Sequence, residues 1–359
     1  MINKLLFFLS IGLVLFSCRK DKLYLQETMT PYELNIPSHF PEMAIPADNP
    51  MTVEGVALGR KLFYDVRLSL DNTISCGSCH QADNGFSDPD QFSVGVGGAV
   101  GNRQSMALVN LGWQTSFFWD GRSGTLEEQI LEPVPHPVEM HLEWPAAVSR
   151  IQADALYPDM FYAAFGENGI TKEKTAKAIA QFLRTMISGN SKYDVMYKFQ
   201  NSLPLTTSEQ ALMNTITVEE WAGLDIFFSL TGGDCLHCHD GPLMHVNLFS
   251  NNGLDATFTD EGRYLVTGNT NDLGKFKVPT LRNIELTAPY MHDGRFQTLD
   301  EVIMHYSFGI EQSATIDPMI EFAHLGGVQL DPQERDLLKT FLKTFTDYEF
   351  INNSDFRAP

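Results

Sequence analysis

Two stretches, "ISCGSCHQADNGFSD" (74–88) and "GDCLHCHDG" (233–241), each contain Cys-x-x-Cys-His, and few patterns restrict a chain more tightly. Of five cysteines, four fall inside these motifs: Cys76, Cys79, Cys235 and Cys238. Three chemistries use paired cysteines at this spacing. A redox dithiol needs no following histidine and sits in a βαβ setting, which is missing here. A zinc site wants four ligands, and joining two distant pairs would leave each histidine a coincidence. Covalent attachment of haem c uses every part. Two thiols form thioethers to the vinyl groups, and the next residue, His80 or His239, becomes the proximal iron ligand. The motifs predict two haem c groups.

The rest of the composition fits that load. A chain of 359 residues, 43% hydrophobic, can bury the cores of two domains. Its 25 Phe, 11 Tyr and 4 Trp suit packing around something flat and apolar. A net charge of −20 makes nucleic acid and anionic membrane surfaces poor partners, and it would steer a small basic protein towards this surface. The N-terminus reads "MINKLLFFLSIGLVLFSCRK". The apolar run Leu5 to Phe16 is too short to span a bilayer but suits the core of a signal peptide. It ends in "LFSC", which resembles the lipobox of bacterial lipoproteins and implies cleavage before Cys18 and lipidation of its sulfur. The expectation is a periplasmic lipoprotein, tethered to the outer rather than the inner membrane. Once Cys18 is lipidated, no cysteine is left for a structural disulfide.

The surroundings of the motifs also recur. "EGVALGRKLFYD" (54–65) precedes the first and "EEWAGLDIFFSL" (219–230) the second, each placing a glycine before an aromatic-rich amphipathic turn. Each half closes with a strong helix signal: "TKEKTAKAIAQFLRTMIS" (171–188), and "DPQERDLLKTFLKTF" (331–345) with Asp331 as N-cap, Pro332 at N1 and Glu334 at N3. Strand signals are few and short. The predicted fold is mainly α: two cytochrome-c-like haem domains with long irregular loops. The expected divisions are a signal peptide (1–18), a tether (19–40), a first haem domain (41–205) and a second (206–350).

With two such domains in view, "FFWDGRSGTLEEQILEPVPHPVEM" (117–140), "VPTLRNIELTAPYMHDGRF" (278–296) and "LDEVIMHYSFG" (299–309) closely resemble the bacterial di-haem cytochrome c peroxidase family, including its MauG branch. The resemblance runs from about residue 40 to 346. It implies a peroxidatic first haem, an electron-transferring second haem, and a calcium ion between the domains. It makes hydrogen peroxide the substrate, a small c-type cytochrome or other periplasmic protein the electron donor, and a homodimer the expected assembly. Many members carry a distal histidine in the loop after the first motif. Here that loop has none before His136, and Met106 falls at a packing position, so the first iron is expected to be five-coordinate.

The resemblance also assigns residues. Glu139 of "HPVEM" takes the place of the distal acid–base, Gln129 that of a hydrogen-bond partner to bound peroxide, and Trp119 that of the indole between the haems. Arg122 would pair with a haem propionate or a structural carboxylate, while Glu127 and Glu128 match no catalytic position and are expected on a solvated helix face. At the second haem the position of the sixth ligand holds Tyr306, as in the MauG branch, with Met304 and His305 facing elsewhere. His237 is expected at the surface. Calcium would take backbone carbonyls of Thr287 and Pro289 and the amide of Gln104, which replaces the family's Asn. The expected activity is that of a cytochrome c peroxidase. The alternatives are a MauG-like oxidase modifying a partner protein and a non-catalytic di-haem electron-transfer cytochrome.

Overall fold

The computed structural model describes residues 29–359, so the expected signal peptide and Cys18 lie outside the described residues. The first half runs through α1 (Val53–Phe63), the single turn α2 (Cys76–Cys79), α3 (Leu126–Leu131), α4 (Trp144–Gln152), α5 (Tyr157–Phe165), α6 (Lys172–Arg184) and α7 (Lys192–Gln200). The second follows with α8 (Thr207–Met213), α9 (Val218–Phe228), α10 (Tyr264–Thr267), α11 (Leu299–Phe308), α12 (Pro332–Leu342) and α13 (Tyr348–Asn352). Among the described residues, sheet is confined to β1 (Phe249–Ser250) and β2 (Phe276–Lys277), paired antiparallel. The fold is mainly α, with much of the chain in loops. Among the described residues, no helix is long and apolar enough to cross a membrane.

Each half is organised by one helix pair. In the first, α1 packs on α6; in the second, α9 packs on α12. The two glycines noted in the sequence sit at these crossings. A Cβ on Gly59 would lie 1.9 Å from the Ala178 carbonyl oxygen, and one on Gly223 would lie 2.1 Å from that of Leu337. Both helices can approach their partners only because no side chain intervenes. The α12 start is capped as its sequence dictates: Asp331 Oδ1 accepts from the Glu334 amide at 2.9 Å, and Glu334 Oε2 accepts from the Asp331 amide at 2.8 Å.

Two large cores follow these pairs, and they do not respect linear order. Tyr193 and Met196 of α7 pack in the second core. Phe350, Ile351 and Phe356, near the chain end, return to the first core. There Phe350 and Phe356 stack edge-on against Phe86, with ring centroids at 5.4 and 6.3 Å. Arg60 donates to the carbonyls of Ser354 and Arg357 at 2.7 and 2.8 Å, fastening the returning tail to α1.

A buried ionic cluster holds the segment before α1 against both halves. Arg282, 1% exposed, donates through both terminal nitrogens to Asp194, each at 2.6 Å. His39 Nε2 meets the same carboxylate at 2.6 Å. Burial alone would raise the Asp194 pKa, but the Arg282 guanidinium and the His39 contact hold it well below the usual carboxylate range.

Candidate functional site

The first motif occupies a short turn whose histidine is aimed by the backbone behind it. His80 Nδ1 donates to the Phe86 carbonyl at 3.2 Å, with Ser105 Oγ at 3.4 Å. A carbonyl can only accept, so Nδ1 carries the proton and Nε2 presents a lone pair, as an imidazole metal ligand requires. Burial lowers the His80 pKa, favouring the neutral ring, against the opposing pull of its bond to Phe86. The second motif repeats the device: His239 Nδ1 donates to the Met244 carbonyl at 3.3 Å, and burial lowers this ring to about 4. The residues supplying these carbonyls, Phe86 and Met244, both have left-handed backbone, at φ 61° and 52°.

The thiols are not poised for redox exchange. Burial pushes Cys76 and Cys235 up to about 12, and Cys79 and Cys238 up to about 11. An exchanging dithiol needs a thiol near or below its ordinary pKa. All four are free. Thiols held protonated in an apolar wall beside a neutral imidazole fit thioether attachment of haem.

A cavity of about 250 Å³ opens at the second motif, lined by Cys235, Cys238, His239, Tyr306, Trp119 and Lys277 among others. Tyr306 lies on α11, and its hydroxyl accepts from Asn252 Nδ2 at 3.1 Å. Burial pushes this phenol up to about 12, partly offset by the Asn252 bond; the nearby thiols of Cys238 and Cys235 also raise it. Of its neighbours, Met304 is 44% exposed, and His305 Nε2 donates to the Asn252 carbonyl at 3.0 Å. Neither lines the cavity, whereas Met291 does.

At the first motif, Glu139 is fixed by its backbone. Its amide donates to the His136 carbonyl at 3.1 Å, and its carbonyl accepts from Val96 at 2.8 Å. Gly95 permits this, since a Cβ there would meet the Val138 carbonyl oxygen at 2.2 Å. The side chain keeps 39% of its surface accessible, yet crowding by protein raises the carboxyl pKa. His136 and Arg122 pull it down, and Glu132 pushes it up. Its charge is felt at both Cys76 and Cys79. His136 Nδ1 lies 3.3 Å from Glu139 Oε1, an ion-pair contact without hydrogen-bond alignment.

The two sites are related by a repeat wider than the motifs. Phe117 bridges Ser123, and Tyr290 bridges Phe296. Both loops contain Asp-Gly-Arg (120–122 and 293–295), and each leads into a capping box, Thr125 with Glu128 and Thr298 with Glu301. Left-handed backbone recurs at Phe118 (φ 66°) and Met291 (φ 76°). In this register Trp119 matches His292, and Pro133 matches Tyr306. The helix behind the second box runs to Phe308 and so carries Tyr306, but its counterpart stops at Leu131, ahead of Pro133, Pro135 and Pro137.

Between the sites, Trp119 is 9% exposed and its indole donates to the Gln104 carbonyl at 2.8 Å. The Gln104 amide donates to the His292 carbonyl at 2.8 Å, and His292 stacks on Phe276 at 3.6 Å. Gln104, Thr287 and Pro289 all border the cavity. The Gln104 side chain donates through Nε2 to Ser87 Oγ at 2.8 Å and to the Asp88 carbonyl at 3.3 Å. Among the described residues no cluster of three or more His, Cys, Asp or Glu could hold a metal ion.

One expectation needs correction. Glu127 is not on a solvated face: it takes two hydrogen bonds from Arg184, at 2.8 and 3.1 Å, and one from Asn49 at 2.7 Å. Glu128 caps its own helix through the Gly124 and Thr125 amides. Arg122 stacks on Phe118 at 3.4 Å and contacts Asp120 and Glu132, at 3.3 and 3.4 Å. His237 is 25% exposed and lies 3.0 Å from Asp234. The sequence reading missed His136, Lys277 and Met291. The duplicated Asp-Gly-Arg was the one signal pointing at Met291; nothing local marks the other two.

A family model described as di-haem cytochrome c peroxidase matches residues 53–202. The methylamine utilization protein MauG of Methylorubrum extorquens is 33% identical over 301 residues, covering 83% of this chain and 80% of that protein. Cytochrome c551 peroxidase of Nitrosomonas europaea is 31% identical over 323 residues, covering 89% and 86%. The crystal structure of a MauG-like protein associated with microbial copper homeostasis superposes with a TM-score of 0.80 at 33% identity, covering 91% of this chain and 99% of that one.

Proposed function

The chain belongs to the di-haem cytochrome c peroxidase family, and from that membership we propose that it reduces hydrogen peroxide to water with electrons from an external c-type cytochrome. Cys76, Cys79 and His80 would hold the haem where peroxide reacts, and Cys235, Cys238, His239 and Tyr306 the haem where electrons enter; bound there, the two groups supply redox chemistry that side chains lack.

The position of Glu139 carries the reading. A carboxylate with a raised pKa, whose charge reaches Cys76 and Cys79, takes a proton from one peroxide oxygen. It returns that proton to the other oxygen as it departs in water. Gln129, on α3, orients peroxide by donating from its amide. Trp119, buried between the sites, provides the electron route. Pro133, standing where the repeat places Tyr306, offers no donor atom, and this supports an accessible face opposite His80. Calcium held by Gln104, Thr287 and Pro289 would tie the halves together through neutral oxygens, which makes it a weak site.

The test is peroxide-dependent oxidation of reduced cytochrome c by the holoprotein, read beside its ferric EPR spectrum. Turnover with one high-spin haem is expected. Two low-spin haems without turnover would leave an electron-transfer cytochrome. A second reading, a MauG-like oxidase acting on a partner protein, is favoured by Tyr306: a phenolate is a hard donor that would lower the potential of its haem. A high-spin signal without cytochrome turnover selects it. Export and tethering through Cys18 complete the proposal, placing the enzyme in the periplasm, and size-exclusion chromatography would test the homodimer.

A further inference from the structure

Lysine is almost never buried unless an opposite charge meets it. Lys277 is 2% exposed. It lies on β2, where its backbone amide donates to the Trp119 carbonyl at 2.7 Å. Its ammonium donates to Gln114 Oε1 at 2.5 Å, a neutral acceptor from the first half of the chain. No carboxylate among the described residues offsets it: burial acts on it unopposed and lowers its pKa to about 7. A second orphan lies close by. His245 is 7% exposed, neither ring nitrogen has a hydrogen-bond partner among the described residues, and burial, with the charges of Lys277 and His239, lowers it to about 4. An imidazole is neutral or cationic, so it cannot offset an ammonium. Lys277 and Gln114 border the same cavity as His239 and Tyr306.

A cation set in an apolar wall without a partner is strongly disfavoured, so the site is built for an anion absent from the polypeptide. Haem c carries carboxylates on the edge of its ring. We propose that Lys277 is the counter-charge for a carboxylate of the haem at the second motif, with Gln114 steering the ammonium from across the domain interface. This rests on the haem assignment above. The consequence is electrostatic: a fixed positive charge beside this haem favours its reduced form, opposing the phenolate of Tyr306, which favours the oxidised one.

The experiment is an equilibrium redox titration of purified holoprotein, after haem stoichiometry has been fixed by a pyridine haemochrome assay. With two haems per chain, Lys277→Met is expected to weaken reduction of the second haem at least about tenfold, about 59 mV for one electron. The first haem should move much less, and Lys277→Arg should keep the native midpoint. An unchanged second midpoint in Lys277→Met overturns the proposal. Fewer than two haems in the native protein would instead sink the haem assignment. Should Lys277→Met fail to mature, a crystal structure of the native holoprotein decides: Nζ within hydrogen-bond distance of a haem carboxylate supports the proposal, and Nζ remote from both carboxylates overturns it.

Discussion

Single side chains here are tuned by what surrounds them, and two make sharp tests. Glu139 must be ionised to take a proton, and crowding raises its pKa. The carboxylate form is therefore lost at a higher pH than for an ordinary glutamate, so kcat/KM for peroxide should fall on the acid side of neutral. Glu139→Gln should lower kcat/KM by roughly 10²–10⁴-fold and abolish that acid limb, with two haems retained, as steady-state assays across pH would show. Asp194 behaves oppositely. Its folded pKa is depressed, so its stabilisation is complete above the unfolded carboxylate value near ~4 and drains away as pH falls towards the folded one. Removing it strands Arg282, and Asp194→Ala should cost about 3–5 kcal/mol in denaturant titration at neutral pH.

Helices and loops show which signals a sequence carries openly. Capping boxes, the Gly-then-aromatic helices and the two haem motifs are local patterns, and they stand where residue spacing places them. Gly59 and Gly223 are legible as glycines, but only the carbonyls of Ala178 and Leu337 explain why no other residue serves. Either glycine replaced by alanine should lose about 1–3 kcal/mol and lower Tm, while Gly101→Ala, which meets nothing within 4 Å, should leave Tm unchanged. The repeat that pairs Thr125 with Thr298 is also written in the sequence. What it means depends on length: one helix reaches Tyr306 and the other halts before Pro133. Tyr306→Met should raise the potential of the second haem in a redox titration, because a thioether favours the ferrous state that a phenolate disfavours. Lys277, His136 and the Arg282 cluster were not legible. Their character comes from burial and from partners far along the chain, and no local pattern marks a buried lysine.

At the level of the whole molecule, the two halves are less separate than two motifs suggest. The second core borrows Tyr193 and Met196 from α7, and the first core borrows Phe350, Ile351 and Phe356 from the tail. Phe86, whose carbonyl aims His80, is covered by two of those tail rings. Deleting residues 348–359 should therefore loosen the first site selectively. The expected readout is a lower first-haem content and an altered first-haem spectrum, with the second haem intact. The returning tail has a bearing on biogenesis as well. A ribosome delivers residues 350 and 356 after both haem motifs, so the segment that seals the earlier haem-binding unit emerges later than the whole of the second motif. The order of the chain thus sets the order of assembly: until residue 356 has been made, "CGSCH" would meet the attachment machinery without the aromatic lid that steadies its histidine.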